Sequence, residues 1–258
     1  MTEIRAYQNS QLLAQAAAEM IIKTSAQAVQ RQGTFSLALA GGSTPRATYE
    51  LLAQAGYMER VNWLKTFIFW GDERCVPLDH PESNYRMVQE SLLDHVPVPA
   101  EQIYRMQGEI SPQIAADIYE RLLRVHFATY RANQPAEHTF DLVLLGLGED
   151  GHTASLFPGS EALQAQDRWV VPNHIPQLDP SRLTLTRECI NAAYQVTFLV
   201  SGGRKADILR QVITQDHSQS EGGSQWPAGT IQPQAGKLLW LVDEAAAAGL
   251  QLQNQPGE

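Results

Sequence analysis

The sequence predicts an α/β fold in which a mainly parallel sheet carries helices on both faces. Short apolar runs of strand length alternate along the chain with amphipathic segments of helix length, which is typical of strand–helix–strand units. Several of the apolar runs also end in glycine-rich turns that carry polar side chains. In open α/β sheets such turns lie at the carboxyl edge of the strands, where ligands bind.

The predicted strands are short, nearly continuous runs of apolar residues, and such runs indicate a sheet covered on both faces. They cover Phe35 to Ala40, Thr66 to Trp70, Phe140 to Leu147, Arg182 to Thr186, Val196 to Val200 and Leu238 to Val242.

Helices are predicted between the strands. Ser10 to Gln30 has apolar residues at three-to-four spacing and Ser10 in the N-cap position, and Pro112 to Tyr130 repeats the pattern. Another helix is predicted to begin near Arg46.

The remaining segments are predicted to lie on the surface of the protein. Gln215 to Gly229 is rich in Gln, Ser and Gly and is predicted to be an exposed loop, either passive or a lid. From Gln251 onward the chain has nothing to bury, so we expect a frayed tail. Residues 1–250 are predicted to form a single α/β domain.

The composition limits the partners that the protein can bind and indicates the cell compartment in which it is expected. The formal net charge of -9 argues against general binding to nucleic acid or anionic membranes. No apolar run is long enough to span a membrane, and the first residues lack the layout of a signal peptide, so we expect a cytoplasmic protein. The two cysteines, Cys75 and Cys189, are expected to be reduced.

The turn from Gly146 to Pro158 carries the most informative side chains, Asp150 and His152. Gly146, Gly148 and Gly151 also spell G-x-G-x-x-G, the fingerprint of dinucleotide binding. That motif should open a long helix, whereas Pro158 and Gly159 would stop one within about two turns. We therefore predict that this turn does not bind a dinucleotide and that it presents His152 at the sheet edge.

Two further turns have the features of anion sites. Gly41-Gly42-Ser43 leads into a predicted helix, whose first amides bind anions, although a tight turn with an N-cap would explain the same residues. Ser201 to Lys205 repeats the arrangement. Lys205 opposes the helix dipole there and is better placed if an anion is bound. The turn that begins at Gly41 is not a P-loop, because the motif G-x-x-x-x-G-K-[ST] is absent, so a nucleoside triphosphate is not implied.

Asp72 and Arg74 follow the second predicted strand, and Asn84 lies shortly beyond. A dense polar group at a strand end is costly unless its members are paired or bind a ligand. Ligand contacts and a structural Asp–Arg pair both remain open at this point.

Together these segments resemble the 6-phosphogluconolactonase family, within the broader group that includes glucosamine-6-phosphate deaminase. The matches follow one another in the family's order and span almost the whole chain. They are Ala40 to Pro45, Trp70 to Arg74 with His80 to Asn84, Gly146 to Pro158, Ser201-Gly202 with Lys205-Ala206, and Pro227-Ala228 to Trp240 and Asp243.

The resemblance implies a modified Rossmann-like fold and hydrolysis of 6-phospho-D-glucono-1,5-lactone to 6-phosphogluconate, in the oxidative pentose phosphate pathway. It also implies that the enzyme needs no metal or organic cofactor and binds a small sugar phosphate. The resemblance implies that His152 is the general base and that Asp150 lies beside it. The implied phosphate site is Gly41, Gly42, Ser43, Arg182 and Lys205, and the implied sugar-acid contacts are Asp72, Arg74 and Asn84.

Two rival functions stay in view. Deaminases of the broader group carry an acid five residues after the histidine, where this chain has Phe157, and Asp-Glu-Tyr where it has Asp72-Glu73-Arg74. A sugar-phosphate sensor without catalysis would need the anion turns but not the Asp–His pair.

Overall fold

The computed structural model of the protein describes residues 2–130, 139–176, 178–215 and 226–250. In chain order its strands are β1 (Thr2–Tyr7), β2 (Phe35–Leu39), β3 (Thr66–Trp70), β4 (Asp72–Arg74), β5 (Leu142–Leu145), β6 (Val170–Ile175), β7 (Leu178–Leu185), β8 (Gln195–Val200) and β9 (Lys237–Asp243). Its α-helices are α1 (Ser10–Gln32), α2 (Ser43–Leu52), α3 (Ala55–Met58), α4 (Asn84–Val88), α5 (Pro112–Tyr130), α6 (Arg187–Asn191), α7 (Ala206–Thr214) and α8 (Glu244–Ala247).

The larger sheet is parallel throughout and has the strand order β1-β9-β8-β5-β2-β3. From β2 the chain first adds β3 on one side and later β5 on the other, so the strand order reverses between β2 and β5. Crevices at the carboxyl ends of strands form at such a reversal. The turns that begin at Gly41 and Gly146 therefore leave the sheet side by side, as the register of Leu37 with Leu142 requires.

The smaller sheet is antiparallel, with the order β4-β7-β6. Gly71 joins it to the larger sheet, because its amide donates to Leu39 O at 2.9 Å while its carbonyl accepts from the Leu185 amide at 2.8 Å. Arg74 of β4 faces Arg182 of β7 in the register. Because β4 follows β3 directly in the chain, the smaller sheet begins at the carboxyl edge of the larger sheet. It forms one wall of the space above that edge.

Helices cover both faces of the larger sheet, which confirms the predicted fold class. On one face, Leu199 and Leu241 pack with Leu13 and Ala17 of α1. The other face contains Phe198 and Trp240, whose rings stack 3.8 Å apart, and the core cluster around them includes Ile208 of α7. Strands β2, β3, β5 and β8 are buried along their whole length, as their continuous apolar sequences predict.

Three strands of the structure are not predicted from the sequence, because they lack a continuous apolar run. β1 is mostly exposed and lies at the sheet edge, β4 consists of three charged residues, and β6 contains Pro172. The predicted strand from Arg182 extends back to Leu178, and the strand predicted from Phe140 to Leu147 is confined to Leu142–Leu145.

The prediction that Ser10 is the N-cap of α1 is wrong. Asn9 rather than Ser10 caps this helix, and its side chain accepts the Leu12 amide at 2.9 Å. The predicted bounds of α5 match the structure, and α2 begins at Ser43 rather than near Arg46.

The segment from Gly148 to Ser160 forms turns without a long helix, which excludes the dinucleotide interpretation. Most of the predicted loop from Gln215 to Gly229, and the predicted tail from Gln251, lie outside the described residues. The loop's last part enters a 3₁₀ helix over Pro227–Thr230. Within the described ranges, no helix is both long and apolar enough to cross a membrane.

Candidate active site

A cavity of about 260 Å³ opens at the carboxyl edge of the larger sheet, between β2 and β5. It is lined by residues from four separate turns, those that follow β2, β3, β5 and β8. The predicted site residues that line it are Gly41, Gly42, Ser43, Asp72, Arg74, Asn84, His152 and Lys205. Asp150 and Arg182 are not among the lining residues, but Asp150 contacts His152 and Arg182 pairs with Arg74 in the strand register.

The turn after β2 brings backbone close to the cavity. Gly41 lies against the Asn84 amide group, and an added Cβ would overlap it. Gly42 has φ of 102° and is the N-cap of α2, so it offers no side chain to bond the first amides of that helix. Those amides have the arrangement by which helix N-termini bind anions, so the predicted role of this turn stays a prediction.

The turn after β8 is tied to the turn after β2. Ser201 Oγ and Thr44 Oγ1 lie 2.8 Å apart, and the Gly202 amide donates to the Asp243 carboxylate at 3.0 and 3.1 Å. Lys205 ends the short 3₁₀ helix Gly203–Lys205 just before α7, and its side chain is 24% exposed. The two predicted anion turns therefore face one cavity.

His152 is held by backbone and side-chain contacts. Its Nδ1 lies 2.5 Å from Asp150 Oδ1, its amide donates to the same oxygen at 3.1 Å, and its carbonyl accepts the Gly148 amide at 2.8 Å. The ring packs on Phe157 with centroids 4.3 Å apart. Gly148 lies so close to the ring that an added Cβ would overlap it. The imidazole thus has one orientation fixed from three sides.

The Asp150 contact also selects the tautomer of His152. An ionised carboxylate only accepts hydrogen bonds, so Nδ1 carries the proton and Nε2 keeps its lone pair in the neutral ring. Partial burial raises the pKa of the Asp150 carboxyl, but the hydrogen bond and the charge of His152 outweigh it and bring that pKa below its usual range. Asp150 therefore stays ionised at neutral pH, and Nε2 is the basic atom of the neutral His152 ring.

Asp72 is buried and bonded to the polar residues around it. It accepts from Ser155 Oγ at 2.7 Å and from Asn84 Nδ2 at 3.4 Å, and Asn84 Nδ2 also donates to the Asp72 carbonyl at 2.9 Å. In the part of the chain that the structure describes, Asp72 and Arg74 do not pair with each other. The structural Asp–Arg pair left open by the sequence is therefore not formed.

Arg74 and Arg182 bring two guanidinium groups to the edge of the smaller sheet. Arg74 Nη1 donates to the Glu82 carbonyl at 2.7 Å, and Arg182 donates to the Pro180 carbonyl. Burial and, second, the positive charge of Arg74 lower the pKa of Arg182. Arg74 Nε is buried and, among the described residues, unpartnered. An anion bound beside the pair would relieve the repulsion between the two cations.

Glu73 holds the turn after β3 and was not predicted as a site residue. Its Oε1 accepts the amides of Arg74 at 2.8 Å and Asn84 at 2.7 Å, while Oε2 accepts the Tyr85 amide at 2.7 Å and Ser83 Oγ at 3.1 Å. Burial raises the pKa of this carboxyl, and the backbone amides oppose that rise. No signal in the sequence indicates this role, because an acid inside a charged segment usually faces solvent.

The chain is similar to known proteins in both sequence and structure. Residues 8–240 match the family model described as glucosamine-6-phosphate isomerases/6-phosphogluconolactonase. The chain is 42% identical over 224 residues to the 6-phosphogluconolactonase of Nostoc sp., covering 86% of this chain and 88% of that one. It is 40% identical over 244 residues to that of Synechocystis sp., covering 94% and 95%. The crystal structure of the Thermotoga maritima 6-phosphogluconolactonase superposes with a TM-score of 0.77 at 28% identity, covering 94% of this chain and 100% of that one.

Proposed function

The chain belongs to the glucosamine-6-phosphate isomerase/6-phosphogluconolactonase family, and we propose that it hydrolyses 6-phospho-D-glucono-1,5-lactone to 6-phosphogluconate in the oxidative pentose phosphate pathway. The observation that carries the proposal is the meeting of His152 with the two anion turns at one cavity. A base and a phosphate site are the two features that hydrolysis of a phosphorylated lactone needs.

Substrate binding depends on the phosphate. Lys205, the first amides of α2 at Ser43, and Arg182 bind this group, while Asp72, Arg74 and Asn84 contact the hydroxyls and the C1 end of the sugar acid. Held at one end, the lactone places C1 next to His152. Remote binding of this kind supplies orientation that a free collision lacks.

Catalysis then requires one base and no covalent intermediate. Nε2 of His152 removes a proton from water as the water oxygen bonds to C1, and the carbonyl oxygen becomes an oxyanion stabilised by Arg74 or by a glycine-turn amide. The C1–ring oxygen bond then breaks, and the imidazolium returns its proton to the leaving oxygen. The carboxylic acid product ionises, so each turnover releases one proton to solution.

The rate enhancement that one general base supplies is large enough for hydrolysis of a lactone. A positioned general base contributes roughly 10²- to 10⁴-fold, or about 3 to 5.5 kcal/mol of barrier. A δ-lactone is already an activated ester, so this contribution together with oxyanion stabilisation is sufficient. Asp150 holds the ring and stabilises its protonated form.

Proton release on addition of freshly prepared 6-phosphogluconolactone, corrected for spontaneous hydrolysis, tests the proposal. We expect release at a rate proportional to enzyme concentration. Ammonia release from glucosamine 6-phosphate would instead support the deaminase. Binding of 6-phosphogluconate without turnover of the lactone would support the sensor. The cytoplasmic location, the single domain, cofactor independence and the lack of nucleic-acid or membrane partners remain predictions of the sequence.

A further inference from the structure

Glu149 is a carboxylate shared by the two turns on which the proposed function rests. It precedes Asp150 in the turn after β5, and its Oε1 lies 3.3 Å from Arg204 Nε and 4.0 Å from Lys205 Nζ in the turn after β8. Lys205 lines the cavity, whereas the Arg204 side chain is 87% exposed. One acid therefore contacts both a cation of the site and a cation outside it.

The position of this acid opposes anion binding. A carboxylate beside an ammonium group neutralises part of its charge, and it also repels any phosphate that approaches the same group. The Glu149 side chain is 51% exposed, so its ion pairs add little to stability. The turn after β8 is held independently, by Ser201 on Thr44 and by the Gly202 amide on Asp243. Glu149 is thus not needed to hold that turn in place.

We propose that Glu149 controls the release of phosphorylated ligands by competing for Lys205. Glu149 pairs with Lys205 in the structure, and a bound ligand's phosphate takes this ammonium from it. Arg204 remains as the partner of Glu149 throughout, so the carboxylate is never left without a cation. The inference takes Lys205 as the phosphate contact and in that respect rests on the proposed function.

Competition of this kind weakens substrate and product alike, because both carry the same phosphate. Such uniform weakening does not change the chemical step itself. It keeps the product from remaining bound through contacts that it shares with the substrate. Glu149 therefore sets a balance between capture of the lactone and release of 6-phosphogluconate.

Titration calorimetry with 6-phosphogluconate and with inorganic phosphate tests the inference on variants of the full chain. We expect Glu149→Gln to lower the Kd of both ligands about two- to fivefold, the usual range for an exposed ion pair. Glu19→Gln is the matched control, since it removes the same charge from an exposed glutamate–arginine pair, with Arg60 at 2.6 Å, outside the cavity lining. It should leave both Kd values unchanged.

A double-mutant cycle tests whether Glu149 affects ligand binding through Lys205. Lys205→Met should weaken both ligands, and Glu149→Gln should tighten binding much less in that background than in the wild type, because only its direct repulsion of the phosphate remains. Weaker binding in Glu149→Gln would mean that the acid only holds the turn. Equal tightening with and without Lys205, or in Glu19→Gln, would mean a general charge effect. Either result would overturn the inference.

The cycle also separates this inference from the proposed function. A wild-type protein that binds 6-phosphogluconate but releases no protons from the lactone would disprove hydrolysis while leaving the cycle interpretable. A wild-type protein that binds neither ligand would remove the phosphate site and the competition with it.

Discussion

At the residue scale, the chemistry depends on which nitrogen of His152 faces the cavity. Asp150 decides this through a single 2.5 Å contact with Nδ1. Other described histidines have different surroundings: His95 lies on the surface against the Glu90 carbonyl, and His126 is buried beside Ser36. A histidine becomes a base here because of its position and its neighbour.

Replacing His152 with alanine should lower kcat by about 10²- to 10⁴-fold, the usual size of a general-base contribution. Steady-state kinetics with fresh lactone measures the change, and thermal unfolding verifies that the fold is intact. His95→Ala, at an exposed position, is the control and should keep full activity. Unchanged turnover in His152→Ala would remove this residue from the mechanism.

Replacing Asp150 with asparagine should lower kcat by roughly 10- to 100-fold, less than the loss of His152. The reason is that a charge-assisted hydrogen bond is worth about 1.5–3 kcal/mol, and a neutral amide stabilises the imidazolium less well. Single-turnover rates would report the effect directly. A variant as fast as the wild type would show that Gly148 and Phe157 suffice to orient the ring.

At the element scale, close-packed turns fix the distances between functional groups. Gly148 leaves room for the His152 ring, Gly41 leaves room for Asn84, and Glu73 gathers the amides at the start of α4. The contact between Gly41 and Asn84 joins segments that leave different strands, whereas the contacts of Gly148 and Glu73 order the chain within one connection. The site is therefore built by turns whose shape the sheet alone does not determine.

Gly148→Ala should lower kcat at least tenfold while changing stability little. An added Cβ would displace the His152 ring, which is 32% exposed and can swing towards solvent, and φ at Gly148 is not in the left-handed region. Gly56→Ala is the control, because nothing lies within 4 Å of its added Cβ. Equal activity of the two variants would show that the ring position is not critical.

Glu73→Gln should destabilise the protein by about 1–3 kcal/mol, measured by urea unfolding. Both carboxylate oxygens accept hydrogen bonds from donors, and the NH₂ of glutamine would face donors at one of these positions. KM should rise as well, since Arg74 and Asn84 lose their support. The exposed Glu82→Gln is the matched control, and an equally small effect in both would contradict the structural role of Glu73.

At the scale of the whole molecule, ligand binding and folding are linked. The net charge of -9 repels an anionic ligand in general, so the local cations Arg74, Arg182 and Lys205 must outweigh it at the cavity. The cavity also joins turns that follow four strands of the sheet. A ligand bound there contacts distant parts of the chain at once and stabilises only the folded state.

6-Phosphogluconate at a hundredfold excess over its Kd should therefore stabilise the protein by about 2.7 kcal/mol, which raises Tm by several degrees. Differential scanning fluorimetry over a series of ligand concentrations measures this. Lys205→Ala should show a smaller shift at the same concentrations. A wild-type Tm that does not move with ligand would place the ligand site elsewhere.

The sequence by itself determined the fold class, the main strands of the larger sheet, and the turns that carry His152, Lys205 and Gly41. Continuous apolar runs and glycine-rich turns are local signals, and they report directly on burial and backbone shape. It could not predict β1, β4 or β6, because edge position and pairing stabilise those strands in place of an apolar run of their own.

Only the tertiary structure decided which side chains meet. The reversal of strand order between β2 and β5 brings the turns into one cavity, and it depends on pairings between residues far apart in the chain, such as Leu37 with Leu142. The roles of Glu73 and Glu149 depend on the same pairings. The sequence does not distinguish one carboxylate from another. The function of each depends on the hydrogen-bond donors and cations that folding places around it.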